Sequence, residues 1–133
     1  MTLPEQFTSY TRPLMGEERF ARFMDALSHP APVSVRLNPF KALADWEETD
    51  GLASVPWCQE GFYLTGRPAF TFDPLLHAGA YYVQEASSMI IDHIVRQFVH
   101  QPVTALDLCA APGGKTTCLR AALPGGSRLF SNE

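Results

Sequence analysis

The sequence has few cysteines and no long apolar run, and each shortage excludes a class of protein. Its three cysteines, Cys58, Cys109 and Cys118, are an odd number without regular spacing, so they indicate neither a disulfide framework nor a metal site. This usage is typical of a reducing compartment, and we expect a cytoplasmic protein. No stretch approaches the roughly 20 apolar residues of a membrane span. Residues 1–10 also lack the basic-then-apolar order of a signal peptide.

Positive charge is also scarce. The chain has 10 Lys and Arg residues against 14 Asp and Glu, which gives a net charge of −4. Proteins bind nucleic-acid backbones chiefly by neutralising phosphates with Lys and Arg, so this charge argues against strong RNA binding by these residues alone. The hydrophobic fraction of 46% and charged fraction of 18% are typical of a globular chain long enough for one modest core.

Hydrophobic periodicity predicts a small α+β domain over residues 1–78. Residues 4–27 are predicted to be helical, with a turn at Gly16 and a packing stripe. Apolar side chains alternate with polar ones over residues 33–38, the pattern of a half-buried strand. A helix is predicted over residues 41–49, and short strands are predicted near residues 55–58 and 62–64. The expected stripe comprises Phe20, Phe23, Met24 and Leu27.

Residues 79–133 have the pattern of a second, α/β domain. Residues 81–83 are predicted to be extended and residues 86–99 helical, and an apolar strand follows at residues 105–108. Because that strand is almost wholly apolar, we expect it to be buried on both faces, as in a parallel sheet. A helix and a further strand, at residues 127–133, complete a β-α-β unit. A doubly wound sheet needs more strands than these, so we expect the chain to be the front part of a longer protein.

The turn that follows this strand is the strongest candidate for a ligand site. Asp107 ends the strand, where α/β sheets place ligand-contacting groups. Pro112 has no N–H and interrupts the ladder. Gly113 and Gly114 are the residues of the turn likeliest to need a positive φ or a missing β-carbon. The helix that begins here would direct its positive end toward a ligand over the turn.

Several interpretations of this turn compete. A phosphate-binding P-loop needs a glycine five positions before Gly114, where the sequence has Cys109. A dinucleotide-binding turn needs three spaced glycines, and only an adjacent pair is present. A Rossmann-like methyltransferase turn for S-adenosylmethionine needs a tight, open turn and an acid after the next strand. Glu133 provides that acid 26 residues after Asp107, near the roughly 20 residues typical of a ribose-binding carboxylate. An ordinary turn with a surface glutamate is the plain alternative.

Three segments resemble the Sun-type RNA (cytosine-5) methyltransferases. Residues 106–116 (LDLCAAPGGKT) closely resemble the cofactor motif of that family. Residues 34–39 (SVRLNP) resemble a strand and turn in its N-terminal domain, and residues 79–89 (GAYYVQEASSM) resemble the entry to its methyltransferase domain. The matches occur in family order and span residues 34–133.

The resemblance implies a fold, a cofactor and a set of contacts. The fold is a small α+β domain (residues 1–78) followed by the first β-α-β part of a Rossmann-like, S-adenosylmethionine-dependent methyltransferase sheet (residues 79–133). The implied substrate is RNA, most naturally ribosomal RNA, with no metal and no membrane. Glu133 would hold the ribose, and Lys115 would pair with the cofactor's carboxylate. The implied cofactor contacts are Cys109, Ala110, Ala111, Pro112, Gly113, Gly114, Lys115 and Glu133.

Catalysis requires a cysteine that the family supplies after the ribose acid. None of the three cysteines here is expected to be that nucleophile, so no catalytic residue is assigned and these residues alone should be inactive. The alternative is a non-catalytic RNA-binding or ribosome-assembly module with a vestigial cofactor turn. For Asp107, capping the amides of the turn and meeting the cofactor's amino group remain open. The weaker candidates, for RNA contact or for bridging the domains, are Arg36, Asn38, Gln84 and Ser87.

Overall fold

A computed structural model describes residues 3–41 and 51–133, in two compact units, Met1–Pro32 and Val33–Glu133. The first unit is a pair of helices, α1 (Glu5–Met15) and α2 (Glu17–Ser28), separated by Gly16 at φ 75°. Phe20 is buried, and its ring centroid lies 6.5 Å from that of Phe23. The predicted helices and turn are therefore confirmed, although Leu27, at the end of the expected stripe, is exposed.

The second unit begins with an antiparallel sheet in the order β2-β3-β1-β4. Its strands are β1 (Val33–Leu37), β2 (Ala53–Ser54), β3 (Gly61–Leu64) and β4 (Tyr81–Val83). Between β3 and β4 lie a 3₁₀ turn (Phe70–Phe72) and the short helix α3 (Pro74–His77), whose first turn is capped by Asp73. The apolar core on this sheet is built on Val35, Ala80 and Tyr81.

The prediction that β1 is half-buried is wrong, because its polar face is also covered. Ser34 and Arg36 are only 4% and 3% exposed. The Ser34 hydroxyl donates to the Gln84 carbonyl at 2.6 Å, and Arg36 donates to groups beyond the sheet. Alternation distinguishes apolar from polar faces, but it cannot show that the polar face has hydrogen-bond partners of its own.

A β-α-β unit follows the sheet. A 3₁₀ turn (Ala86–Met89) runs into α4 (Ile90–Phe98), and then come β5 (Thr104–Asp107), α5 (Gly114–Ala122) and β6 (Arg128–Ser131). Strands β5 and β6 pair in parallel, with Asp107 opposite Ser131, so their carboxyl ends meet at one edge. Val95, Ala122 and Leu123 form the core between α4, α5 and the two strands. The described residues thus form a small α+β arrangement, and the assignment of residues 79–133 to a Rossmann-like sheet stays a prediction.

The prediction that the strand at residues 105–108 is buried on both faces is wrong for the described residues. Ala105 packs on the core beneath α4 and α5, whereas Leu106 and Leu108 are 61% and 66% exposed. In the described part of the chain, this two-stranded sheet has helices on one face only. Phe130, opposite Leu106 in the register, is exposed for the same reason.

The predicted domain boundary after residue 78 stays a prediction. The antiparallel sheet includes strands from both sides of that position, because β4 pairs with β1. The helix predicted over residues 41–49, with Leu43 and Trp46 inward, lies outside the described residues apart from Lys41. Within residues 3–41 and 51–133, no helix is long and apolar enough to span a bilayer, and no cluster of side chains is suited to a metal ion.

Candidate functional site

The turn between β5 and α5 is closed by its own backbone and by the end of β6. The Gly113 N–H donates to the Ala110 carbonyl at 2.7 Å. The Ala110 N–H donates to the Asn132 carbonyl at 2.9 Å, and the Asn132 N–H donates to the Asp107 carbonyl at 2.8 Å. The peptide bond between Ala111 and Pro112 is cis. The loop is therefore held tightly at the shared carboxyl edge of the two parallel strands.

Asp107 holds the turn from inside. Its Oδ1 accepts from the Cys109 N–H at 3.2 Å, and its Oδ2 accepts from the Thr116 hydroxyl at 2.6 Å. The same hydroxyl lies 3.2 Å from the Ala110 carbonyl. Of the two roles left open for Asp107, capping an amide of the turn is confirmed, and contact with a cofactor's amino group stays a prediction.

Glu133 reaches the same turn from the end of β6. Its Oε2 accepts from the Ala111 N–H at 2.8 Å. Spacing in the sequence thus identified an acid that does lie beside the turn, at the edge where parallel strands place ligand-contacting groups. In the described part of the chain its Oε1 has no hydrogen-bond partner.

A cavity of about 270 Å³ lies between this turn and a wall formed by β4 and the segment that follows it. Residues Tyr82 to Glu85 and Ser88 form one wall. The other wall contains six of the eight predicted cofactor contacts, namely Cys109, Ala110, Ala111, Pro112, Gly114 and Lys115. Gly113 and Glu133 are adjacent to this lining without being part of it. The structure therefore brings six of the eight predicted residues together at one concave surface.

The two glycines of the turn have different tasks. Gly113 has φ 98°, a left-handed conformation that disfavours a β-carbon, and open space surrounds the position that a β-carbon would take. Gly114 has no positive φ, but its β-carbon would lie 3.2 Å from Cε1 of Tyr82. The Tyr82 hydroxyl donates to the Pro112 carbonyl at 3.0 Å, so β4 packs directly against the turn.

A buried polar network fixes the start of α5 to the antiparallel sheet. The Arg36 Nε donates to Gln84 Oε1 at 2.8 Å, and its Nη2 donates to the Thr117 hydroxyl at 2.6 Å. The Gln84 Nε2 donates to the Gly114 carbonyl at 3.2 Å, and Arg36 reaches the same oxygen at 3.5 Å. Arg36 and Gln84 therefore connect β1 and the end of β4 to the start of α5, whereas the prediction that they bridge two domains stays a prediction.

The other two weak candidates make simpler contacts. The Asn38 side chain accepts from the Phe40 N–H at 3.1 Å, which closes the turn after β1, and it donates to the carbonyl of the distant Gly79 at 2.9 Å. The Ser87 hydroxyl donates to its neighbour Glu85 at 2.7 Å on the surface. Contact of any of these residues with RNA stays a prediction.

The cysteines differ in burial and in acidity. Cys58 and Cys118 are 3% and 0% exposed, and Cys109 is exposed in the turn. A hydrogen bond with Cys118, together with burial, raises the pKa of Cys58 far above its ordinary value. The same hydrogen bond lowers the pKa of Cys118 to about 7. Complete burial keeps that sulfur away from any substrate, which supports the view that it is not a nucleophile.

Sequence reasoning missed two residues of this site. Thr116 closes the turn through Asp107, and Tyr82 supports it from β4. Thr116 had a weak signal in the sequence, because its hydroxyl lies in the first turn of the helix that starts beside the strand-end carboxylate of Asp107, to which it donates. The tyrosine had none, since its contact depends on how β4 meets a turn 30 residues later.

Comparisons with known proteins agree with this geometry. Residues 3–86 match the family model described as the N-terminal domain of 16S rRNA methyltransferase RsmF. The chain is 33% identical to ribosomal RNA small subunit methyltransferase F of Pectobacterium atrosepticum, with 99% of this chain and 30% of that protein covered. It is also 33% identical to the protein of the same name from Vibrio cholerae, again covering 30% of it. The chain thus spans about 30% of the length of these curated relatives.

Solved structures show the same arrangement. A crystal structure of a methyltransferase homolog from Pyrococcus horikoshii superposes with a TM-score of 0.69 at 32% identity, covering 86% of this chain and 39% of that one. The crystal structure of PH0851 superposes with a TM-score of 0.76, covering 96% of this chain and 30% of that one. Its 23% identity supports the fold alone.

Proposed function

Because the chain belongs to the family of N-terminal domains of 16S rRNA methyltransferase RsmF, we propose that it forms the front part of an S-adenosylmethionine-dependent RNA (cytosine-5) methyltransferase. In this proposal β5, α5 and β6 are the first β-α-β part of a Rossmann-like methyltransferase sheet, and residues 1–78 are the small domain before it. The Sun-type resemblance that the sequence predicted is consistent with this membership. Its substrate would be ribosomal RNA, methylated in the cytoplasm.

One observation carries the proposal: the carboxyl ends of two parallel strands meet at a glycine turn that also receives a carboxylate. Gly113 is left-handed, α5 begins at the next residue, and Glu133 arrives from β6. Helix N-termini and strand carboxyl ends are the places where α/β proteins hold nucleoside-containing ligands. The turn lacks the full ring of glycines that a phosphate would need, which favours a ligand without phosphates.

The groups at the cavity fit S-adenosylmethionine chemically. The carboxylate of Glu133 suits ribose hydroxyls, because one of its oxygens holds the Ala111 amide and the other remains for a donor. Lys115 is exposed and lines the cavity, so it can pair with the cofactor's carboxylate. The backbone of residues 109–114 would hold the rest. When bound, S-adenosylmethionine supplies a methyl group on a positively charged sulfur.

The described residues bind and orient, and they do not complete the chemistry. Tyr82 and Gln84 hold the turn from the β4 side, and Asp107 and Thr116 hold it from within. In this proposal the nucleophilic cysteine and a second cysteine for product release come from the remainder of the full-length protein. The competing hypothesis, a non-catalytic module with a vestigial turn, retains the fold but needs no cofactor affinity.

Calorimetric titration of the full-length protein with S-adenosylhomocysteine separates these hypotheses. We expect saturable binding with one site, and methyl incorporation into cytosines of small-subunit ribosomal RNA from labelled S-adenosylmethionine. Residues 1–133 alone should give no incorporation. A folded full-length protein that binds no S-adenosylhomocysteine would support the non-catalytic module instead.

A further inference from the structure

A second cavity, of about 310 Å³, is also lined by Tyr82. We call it the basic cavity, and its defining residues are Arg36, Phe40, Lys41 and Arg120. Its volume is at the low end of the range for ligand pockets. Among the described residues, Tyr82 alone lines both this cavity and the cavity at the turn.

The charge of the basic cavity opposes that of the chain. Three of the chain's 10 Lys and Arg residues line it, and among the described residues no Asp or Glu does. The whole chain, in contrast, carries a net charge of −4. Overall composition therefore concealed a local site whose electrostatic potential attracts anions.

Arg36 is buried, and no acidic side chain of the described residues pairs with it. It is 3% exposed, and its partners among the described residues are neutral: an amide oxygen, a hydroxyl and a carbonyl. Among the described residues, Nη1 of Arg36 has no hydrogen-bond partner. Every fully buried side-chain nitrogen of those residues does have a partner, so Nη1 is not fully buried and keeps access to solvent. Burial of an unpaired charge is costly, and an anion in the cavity would remove much of that cost.

An exposed aromatic platform lies at the edge of the basic cavity. The Phe40 ring is 60% exposed, and the Arg120 guanidinium carbon lies 4.5 Å from its centroid. A guanidinium held over a ring keeps a defined position while its outer edge stays free to donate. Aromatic rings and arginine planes are also the surfaces on which unstacked RNA bases lie.

We propose that the basic cavity binds a backbone phosphate of a single-stranded RNA segment, with the adjacent base on Phe40. This inference rests on the proposed function, which makes RNA the substrate. Arg36, Lys41 and Arg120 would share the phosphate charge, and Arg36 would connect it to the cofactor turn through Gln84 and Gly114.

The test uses the full-length protein and fluorescence anisotropy of a labelled single-stranded RNA over a range of salt concentrations. The double variant Lys41→Gln with Arg120→Gln changes two exposed side chains and leaves Arg36 in place. We expect it to weaken RNA binding about tenfold. The slope of log affinity against log salt should become shallower by about 0.7 for each phosphate contact that is lost. Arg120→Lys keeps the charge and should retain most of the slope.

The matched control is Arg67→Gln. Arg67 is also exposed, and its guanidinium carbon lies 5.9 Å from the centroid of the Phe70 ring, so the control removes one positive charge, against two in the double variant, and the same type of contact elsewhere. We expect less than a twofold change. An unchanged affinity and slope in the double variant, or an equal loss in the control, would overturn the proposal.

S-Adenosylhomocysteine titration of the same samples distinguishes this inference from the proposed function. The double variant should bind S-adenosylhomocysteine as the wild type does, which also shows that it is folded. If the wild type fails to bind the cofactor product, the proposed function is wrong, and the RNA measurement still decides whether the basic cavity binds phosphate. If cofactor binding is normal and the RNA slope is unchanged, the basic cavity alone has been misassigned.

Discussion

Replacing Gly113 with alanine tests whether the left-handed turn is the essential feature of the site. At φ 98° an L-amino acid is strained by about 1–2 kcal/mol, and a β-carbon here would meet no atom within 4 Å. The effect should therefore come from backbone strain alone, without a steric clash. A destabilisation of that size multiplies the population of the opened turn by roughly 5 to 30.

Hydrogen exchange of the full-length protein measures this opening locally. The amides of Gly113 and Thr117 donate to Ala110 and Gly113 at 2.7 and 2.8 Å, and they exchange only when the turn opens. In Gly113→Ala we expect a peptide covering residues 109–119 to exchange about 5 to 30 times faster. Affinity for S-adenosylhomocysteine should fall by less than this factor, because the closed turn remains the main state and binding weakens only by the fraction of closed turn that is lost.

Two further variants test whether the left-handed backbone at residue 113 is the cause of the faster exchange. Gly113→Asn should recover much of the loss, because asparagine tolerates left-handed backbone better than alanine. Gly126 has φ 84°, and its β-carbon would lie 3.6 Å from Pro102, so Gly126→Ala introduces similar strain far from the turn. It should leave exchange at residues 109–119 unchanged. Wild-type exchange in Gly113→Ala, or an equal loss in the asparagine variant, would refute the argument from φ.

Three other substitutions have expected outcomes. Glu133→Ala should weaken S-adenosylhomocysteine binding by about 1.5–3 kcal/mol in calorimetry, and an unchanged affinity with the fold intact would mean that the cofactor binds elsewhere. Arg36→Met should lower the free energy of unfolding by about 1–3 kcal/mol, since it leaves buried acceptors without a donor, and an unaltered midpoint in urea would contradict this. Gly114→Ala should destabilise the turn, because the new β-carbon would lie 3.2 Å from the Tyr82 ring. Adding Tyr82→Leu in the same chain should remove this destabilisation. Additive losses in the double-mutant cycle would argue against the contact.

Sequence patterns predicted the helices and strands that depend only on residues near them in the chain. The helices on either side of Gly16, the strand at residues 81–83 and the β-α-β order follow from periodicity and turn residues, and the structure has each of them. The association of Glu133 with the turn was also predictable, because parallel strands joined by one helix bring their carboxyl ends together. Such features require only that neighbouring elements fold in the usual way.

Contacts between distant segments could not be predicted in this way. Arg36 was placed on an exposed strand face, yet it is buried because partners 48 and 81 residues later reach it. Leu106 was placed in a buried strand, yet in the described chain its side of the sheet carries no covering helix. The basic cavity was missed because Lys41 and Arg120 are far apart in sequence, and a net charge records no positions.

The network around the Gly114 carbonyl has a consequence for how this sequence can change in evolution. Arg36 donates to Gln84 and Thr117, and both Arg36 and Gln84 reach the same carbonyl. Loss of one member leaves a neighbour with an unsatisfied group, so a lineage that replaces one residue gains by replacing the others. Substitutions at positions 36, 84 and 117 should therefore be correlated among descendants of a common ancestor, although these positions are scattered through the chain.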